Sequence, residues 1–172
     1  MDVTQVCDPE AVIEHRRGEF LISTDRKRLS PDIIHSFLTK SYWAQSISRV
    51  VVTRSIEHSL CFGIYEESRR LAKEARHEAP GPLAQVGFAR VISDFATFAY
   101  LGDVFMLESH RGRGLSKWLI ECIIQHPALQ NLRRWILLTR DAHSLYSKYG
   151  FTPLKSPGRY MELHRPHVYE RP

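Results

Sequence analysis

The stretch from Val104 to Leu115 carries the most specific chemistry in this chain: an apolar run enters a basic turn with glycine at 112 and 114. An amphipathic helix starts at once, with Leu115, Trp118, Leu119, Cys122 and Ile123 at helical spacing. Its N-terminus must therefore lie at the glycines, where unpaired backbone N–H groups and the positive end of the helix dipole face whatever approaches. Gly112 and Gly114 let an anion reach the backbone, and Arg111 and Arg113 add charge beside it. These residues in this order make a phosphate cradle.

Spacing narrows the phosphate. A dinucleotide fingerprint needs a third glycine where Lys117 stands, and no acidic residue follows at the expected distance. A Walker loop needs Gly-Lys-Ser/Thr after a four-residue gap, which the chain does not offer. What remains is a short turn that holds a diphosphate on backbone amides, and coenzyme A has such a diphosphate.

At this point the sequence resembles the GNAT family of acetyl-CoA-dependent N-acetyltransferases, whose signature Gln/Arg-x-x-Gly-x-Gly/Ala joins a central strand to a helix. Here it reads Ser109-His110-Arg111-Gly112-Arg113-Gly114, with Ser109 in place of Gln or Arg. A second segment, from Thr139 through Ala142 and Tyr146 to Gly150-Phe151, is similar to the family's Asn-x-x-Ala-x-x-x-Tyr-x-x-x-Gly-Phe, with Thr139 for Asn. The two motifs stand in the family's order, and the resemblance extends from about Glu19 to Leu163. It implies an α/β (α+β) GNAT-like fold with a mixed, mostly antiparallel sheet flanked by helices.

The resemblance also implies roles. Backbone at Phe105, Met106 and Leu107 would pair with the pantetheine arm and set an amide N–H against the thioester carbonyl, as an oxyanion hole does. Arg111, Gly112, Arg113, Gly114, Leu115 and Lys117 would serve the phosphates, and the Thr139 hydroxyl would bond cofactor backbone. Tyr146 takes the place of the general acid that protonates the departing thiolate. By residue type alone it is a core aromatic beside Leu145 and Tyr149. Asp103, at the start of the cofactor strand, would hold the ammonium or relay its proton, or else is a solvent-facing aspartate; Asp94 and His58 are weaker alternatives. Tyr42, Trp43 and Tyr100 would line the acceptor, an amine on a small molecule or peptide. Cys122 lies inside the helix without a paired histidine, which argues against a covalent cysteine route. No metal is implied.

The elements that must position these residues can be read from the pattern. Strands are expected at 19–23, 60–65, 85–92, 99–107, 134–138 and 160–163, and helices at 30–38, 49–58, from 115 through at least 123, and 142–149. Ser30-Pro31-Asp32 gives one helix an N-cap, an N1 proline and an acidic first turn. Residues 1–18 are polar and of uncertain order, and 19–172 form the acetyltransferase domain. Residues 66–83 read as a helical insertion, rich in charge and stopped at Pro80-Gly81-Pro82.

The 172 residues suffice for one domain with a sizeable core, and 43% hydrophobic with 25% charged residues is ordinary globular composition. Cys7, Cys61 and Cys122 are odd in number and widely spaced, which argues against a disulfide framework or a zinc site and suits a reducing cytoplasm. The N-terminus lacks a signal-peptide pattern, and no apolar run is long enough to span a bilayer. A net charge of +5 suits a polyanionic cofactor and, equally, nucleic acid. The basic residues are scattered without a recognition motif, so a nucleic-acid module is the weaker competitor. A noncatalytic acyl-CoA sensor on the same fold is the other, and Tyr146 argues against it. Members of the family often pair, which makes a homodimer an expectation.

Overall fold

The computed structural model describes residues 8–67 and 83–170. Six strands form one sheet in chain order: β1 (Glu14–Arg17), β2 (Phe20–Ser23), β3 (Leu60–Glu67), β4 (Leu83–Ser93), β5 (Phe98–Met106) and β6 (Arg134–Leu137). Every neighbouring pair is antiparallel except β5 and β6, which run parallel. Helices α1 (Pro31–Leu38) and α2 (Arg49–Glu57) lie between β2 and β3, α3 (Leu115–Ile124) joins β5 to β6, and α4 (His143–Tyr146) follows β6. This is the mixed, mostly antiparallel sheet flanked by helices that the resemblance implied.

Both faces of the sheet are covered, so β3 is buried from Leu60 to Tyr65. Its alternate residues Leu60, Phe62 and Ile64 pack with Leu119, Ile120 and Ile123 of α3. Cys61 looks the other way and joins Ile34, Leu38, Val52 and Ile56 of α1 and α2. Both of those helices start on a serine cap: Ser30 accepts from the Ile33 N–H and Ser48 from the Val51 N–H.

The β4–β5 turn is clamped by Asp94. Its Oδ1 accepts from the N–H groups of Ala96, Thr97 and Phe98, and its Oδ2 from the Thr97 hydroxyl. These bonds, the Thr97 side chain first, hold its carboxyl far below the ordinary carboxylate range. Asp94 is thus a turn clamp, and the proton-acceptor alternative weighed for it falls away.

Two departures from regularity open the sheet. β6 pairs with β5 only over Phe98 to Leu101, while β5 runs on to Met106 without a partner on that side. Opposite β4, the register jumps from Arg90↔Gly102 to Phe88↔Phe105, so Asp103 and Val104 together face Ala89. Asp103 takes φ 53°, a left-handed conformation that aspartate tolerates better than most residues. The bulge bends β5 away from β6, and a cleft opens between them.

Four expectations change. Glu14–Arg17 falls within the polar stretch of uncertain order yet forms β1, because its ladder with β2 needs backbone only. The helix expected over 142–149 is α4 followed by a 3-10 turn at Ser147–Tyr149, closed by Gly150 at φ 86°. The closing strand at 160–163 does not form among the described residues. Pro157 and Pro166 bracket the segment, and Met161 and Leu163 face solvent. Of the insertion, residues 68–82 lie outside the described residues, and Glu66, Glu67 and Leu83 belong to β3 and β4.

Candidate active site

The glycine turn has the expected geometry. Gly112 and Gly114 sit at φ 77° and 76°, with open space where a Cβ would stand, so glycine is required there for its conformation. Gly114 is the N-cap of α3 and no side chain caps the helix. The first helical bond runs from the Trp118 N–H to the Gly114 carbonyl at 3.2 Å, which leaves the amides of Leu115, Ser116 and Lys117 open to an anion. The Leu115 side chain is buried in the core, so that residue can offer only its backbone.

The basic side chains of the turn divide. Arg111 lines the cleft, where its Nε lies 3.4 Å from the Met106 carbonyl. Arg113, expected on the phosphates, turns away. Its two terminal nitrogens donate to Glu66 Oε1 and Glu19 Oε1, each at 3.0 Å, and its guanidinium lies 4.5 Å from the Phe20 ring centroid. The other Glu66 oxygen, Oε2, accepts from His110 Nε2 at 3.1 Å, and His110 Nδ1 is hydrogen-bonded to the Ser109 hydroxyl at 2.8 Å. The hydrogen bond from His110, ahead of the one from Arg113, lowers the Glu66 carboxyl. Ser109 and Arg113 therefore belong to a clamp that ties the turn to β2 and β3. Lys117 is exposed outside the cleft lining, and its carbonyl accepts from the Tyr149 hydroxyl at 2.7 Å.

The strand end offers less backbone than its three residues promised. The Leu107 N–H is taken by the Val86 carbonyl at 2.8 Å. Strand alternation then turns the Met106 N–H and carbonyl toward the cleft. The side chains of Phe105 and Met106 are buried, Phe105 stacked on Phe37 at 3.9 Å between centroids.

Strand end, turn and acceptor wall line one cleft of about 2260 Å³. Tyr42, Trp43 and Tyr100, from the α1–α2 connection and β5, stand on the same cleft as Tyr146. Tyr146 is buried to 8% exposure, edge-on to Phe151, and its hydroxyl has no hydrogen-bond partner among the described residues. Burial, and then the neighbouring phenols of Tyr42 and Tyr100, push its pKa up to about 12, so it stays protonated at neutral pH. Burial, and then Asp103, raise Tyr100 as well. Thr139 accepts from the Ala142 N–H at 3.0 Å to start α4, which leaves its own O–H as a donor.

Asp103 is in the cleft, but not as an open carboxylate. Oδ2 accepts from Arg90 Nε at 2.7 Å and Oδ1 from Trp43 Nε1 at 3.1 Å. Arg90 was overlooked in the sequence, although a lone arginine among the apolar residues of β4 signals a partner inside the fold. Arg140 was overlooked too: its guanidinium lies 3.9 Å from the Tyr42 ring centroid. His58 lines a separate hollow of about 530 Å³, formed with residues 9–12 and 24–27. Among the described residues no helix is long and apolar enough to cross a membrane, and no cluster of His, Cys, Asp and Glu is placed to hold a metal ion.

Comparison with known proteins agrees with this geometry. The profile of the acetyltransferase (GNAT) domain matches residues 61–153. An inferred acetyltransferase of Gibberella zeae is 34% identical over 145 residues, 77% of this chain and 78% of that protein. A crystal structure of a GNAT-family protein from Xanthomonas campestris pv. campestris superposes with TM-score 0.78 at 46% identity, covering 91% of this chain and all of that one. A Clostridium acetobutylicum structure that contains acetyl-CoA shares the fold, with TM-score 0.56 at 15% identity over 84% of this chain and 94% of its own. With the uncapped glycine turn, the splayed strands and Tyr146 in one cleft, these matches establish that the chain belongs to the GNAT family of acetyltransferases.

Proposed function

We propose that this cleft transfers acetyl from acetyl-CoA to a primary amine by direct attack within a ternary complex. One observation carries the reading: the open edge of β5 at Met106, Ser116 at the uncapped start of α3 and the unpartnered Tyr146 all line the same space. The amides of Leu115, Ser116 and Lys117 hold the diphosphate, with Arg111 beside them. The Met106 N–H meets the thioester carbonyl and stabilises the oxyanion that forms as the amine attacks. A C–N bond forms and the C–S bond breaks. The thiolate leaves against the Tyr146 hydroxyl, which supplies its proton, and the amine proton departs through water in the open cleft.

Asp103 acts through Trp43 and Arg90, fixing the acceptor wall against the bulge of β5. Among the described residues a cysteine intermediate is disfavoured, because burial pushes the Cys122 thiol up to about 11 and the Cys61 thiol up to about 12. Thiol release from acetyl-CoA, followed across a panel of amines with mass spectrometry of the products, tests the reading. Amine-dependent release with acetylated product is expected. Tight CoA binding with no release for any amine would instead support the acyl-CoA sensor.

A further inference from the structure

The acceptor wall has an unusual distribution of charge. Arg140 is pinned twice by Tyr42: its backbone N–H donates to the Tyr42 hydroxyl at 3.2 Å, and its guanidinium carbon lies 3.9 Å from the ring centroid. Its nearest carboxylate is Asp141 at 3.8 Å, with the two side chains 66% and 70% exposed, a contact that contributes little in water. A guanidinium stacked on an aromatic face keeps its in-plane N–H donors available for an oxyanion. It also fills the ring face on which a substrate ammonium would otherwise sit.

The anionic side of the wall is already committed. Both oxygens of Asp103 have donors in Arg90 and Trp43, and Asp32 pairs with Arg49 at 2.7 Å. Lys40 and Arg165 line the same cleft without a carboxylate partner among the described residues. The lining carboxylates that remain, Glu108, Asp141, Glu162 and Glu170, are all exposed, and Glu170 is paired with His167 at 2.9 Å. The wall thus presents an anchored guanidinium to incoming negative charge, while the charge of Asp103, its most buried carboxylate, is already matched by Arg90.

We infer that the acceptor is an amine that also carries an anionic group, a carboxylate or a phosphate, received by Arg140 while the amine faces Tyr146. The inference rests on the acetyl-transfer reading of the cleft. Its test uses matched acceptors: amino acids against their amides, and aminoalkyl phosphates against the parent amino alcohols, each followed by thiol release from acetyl-CoA. Wild type should show a KM roughly tenfold lower for the anionic member of at least one series, and the series that responds identifies the anion. Arg140→Gln should erase most of that ratio without changing the KM for acetyl-CoA, and Arg140→Lys should retain part of it. Equal or better turnover of amides, amino alcohols or polyamines, or an unchanged ratio in Arg140→Gln, would overturn the acceptor class and leave acetyl transfer standing. No thiol release with any acceptor would overturn both.

Discussion

Arg90 and Asp103 meet across the β4–β5 bulge, Nε to Oδ2 at 2.7 Å, with side chains only 17% and 12% exposed. The pair holds the residue that bends β5, since Asp103 itself has φ 53°. Asp103→Asn keeps a side chain suited to that conformation and removes the charge, leaving the nearly buried Arg90 guanidinium with neutral partners such as the Ser59 hydroxyl and no counter-charge. It should lower unfolding stability by about 3 kcal/mol in a denaturant titration. Arg90→Gln should cost a similar amount, and the double variant less than the sum of the two.

The glycine turn gives a prediction that separates binding from chemistry. Gly114→Ala forces an L residue to φ 76° at the start of α3, at a cost of about 1 kcal/mol or more. The helix start either keeps its amides aimed at strain or relaxes and loses its aim, and both routes weaken the diphosphate site. Calorimetric titration should show acetyl-CoA affinity reduced about tenfold. Arg113→Gln should affect affinity less than Arg111→Gln, because Glu66 and Glu19 hold Arg113 outside the cleft.

His126 should make stability depend on pH. It is buried; its Nδ1 accepts from the Ala128 N–H at 3.3 Å, and its Nε2 has no partner among the described residues. Burial, and then the charge of His15, lower its pKa from the ordinary 6.5. Above 6.5 the ring is neutral whether the chain is folded or unfolded. Below it the unfolded chain takes up the proton first, so stability falls with pH until the lowered folded value is passed. His126→Asn keeps a capping acceptor and removes the titration. Unfolding free energies measured between about pH 8 and pH 5 should slope less in the variant than in wild type.

What the sequence disclosed follows from how local each feature is. The start of α1 was readable in Ser30-Pro31-Asp32, because a cap and its helix lie within one turn. The cradle was readable for the same reason, as two glycines and the helix they start are contiguous. β1 was hidden, since Glu14-His15-Arg16-Arg17 has no apolar alternation and pairs through backbone alone. The orientation of Arg113 was hidden because its partners lie 47 and 94 residues away. The strand pattern at 160–163 failed for a related reason: alternation makes a strand only where a neighbour supplies the ladder. Asp103 was placed in the cleft from its position, but the bulge that sets its conformation depends on register with β4, which no local pattern encodes.

Tyr146→Phe tests the central claim most directly. The substitution removes one hydroxyl from a ring held in place by Phe151 and the surrounding core, so the fold and the cofactor cradle should persist. With an amine that wild type acetylates, kcat should fall about 100-fold while the dissociation constant for acetyl-CoA stays within about twofold. An unchanged kcat across the amine panel would show that the thiolate takes its proton elsewhere and would contradict the account.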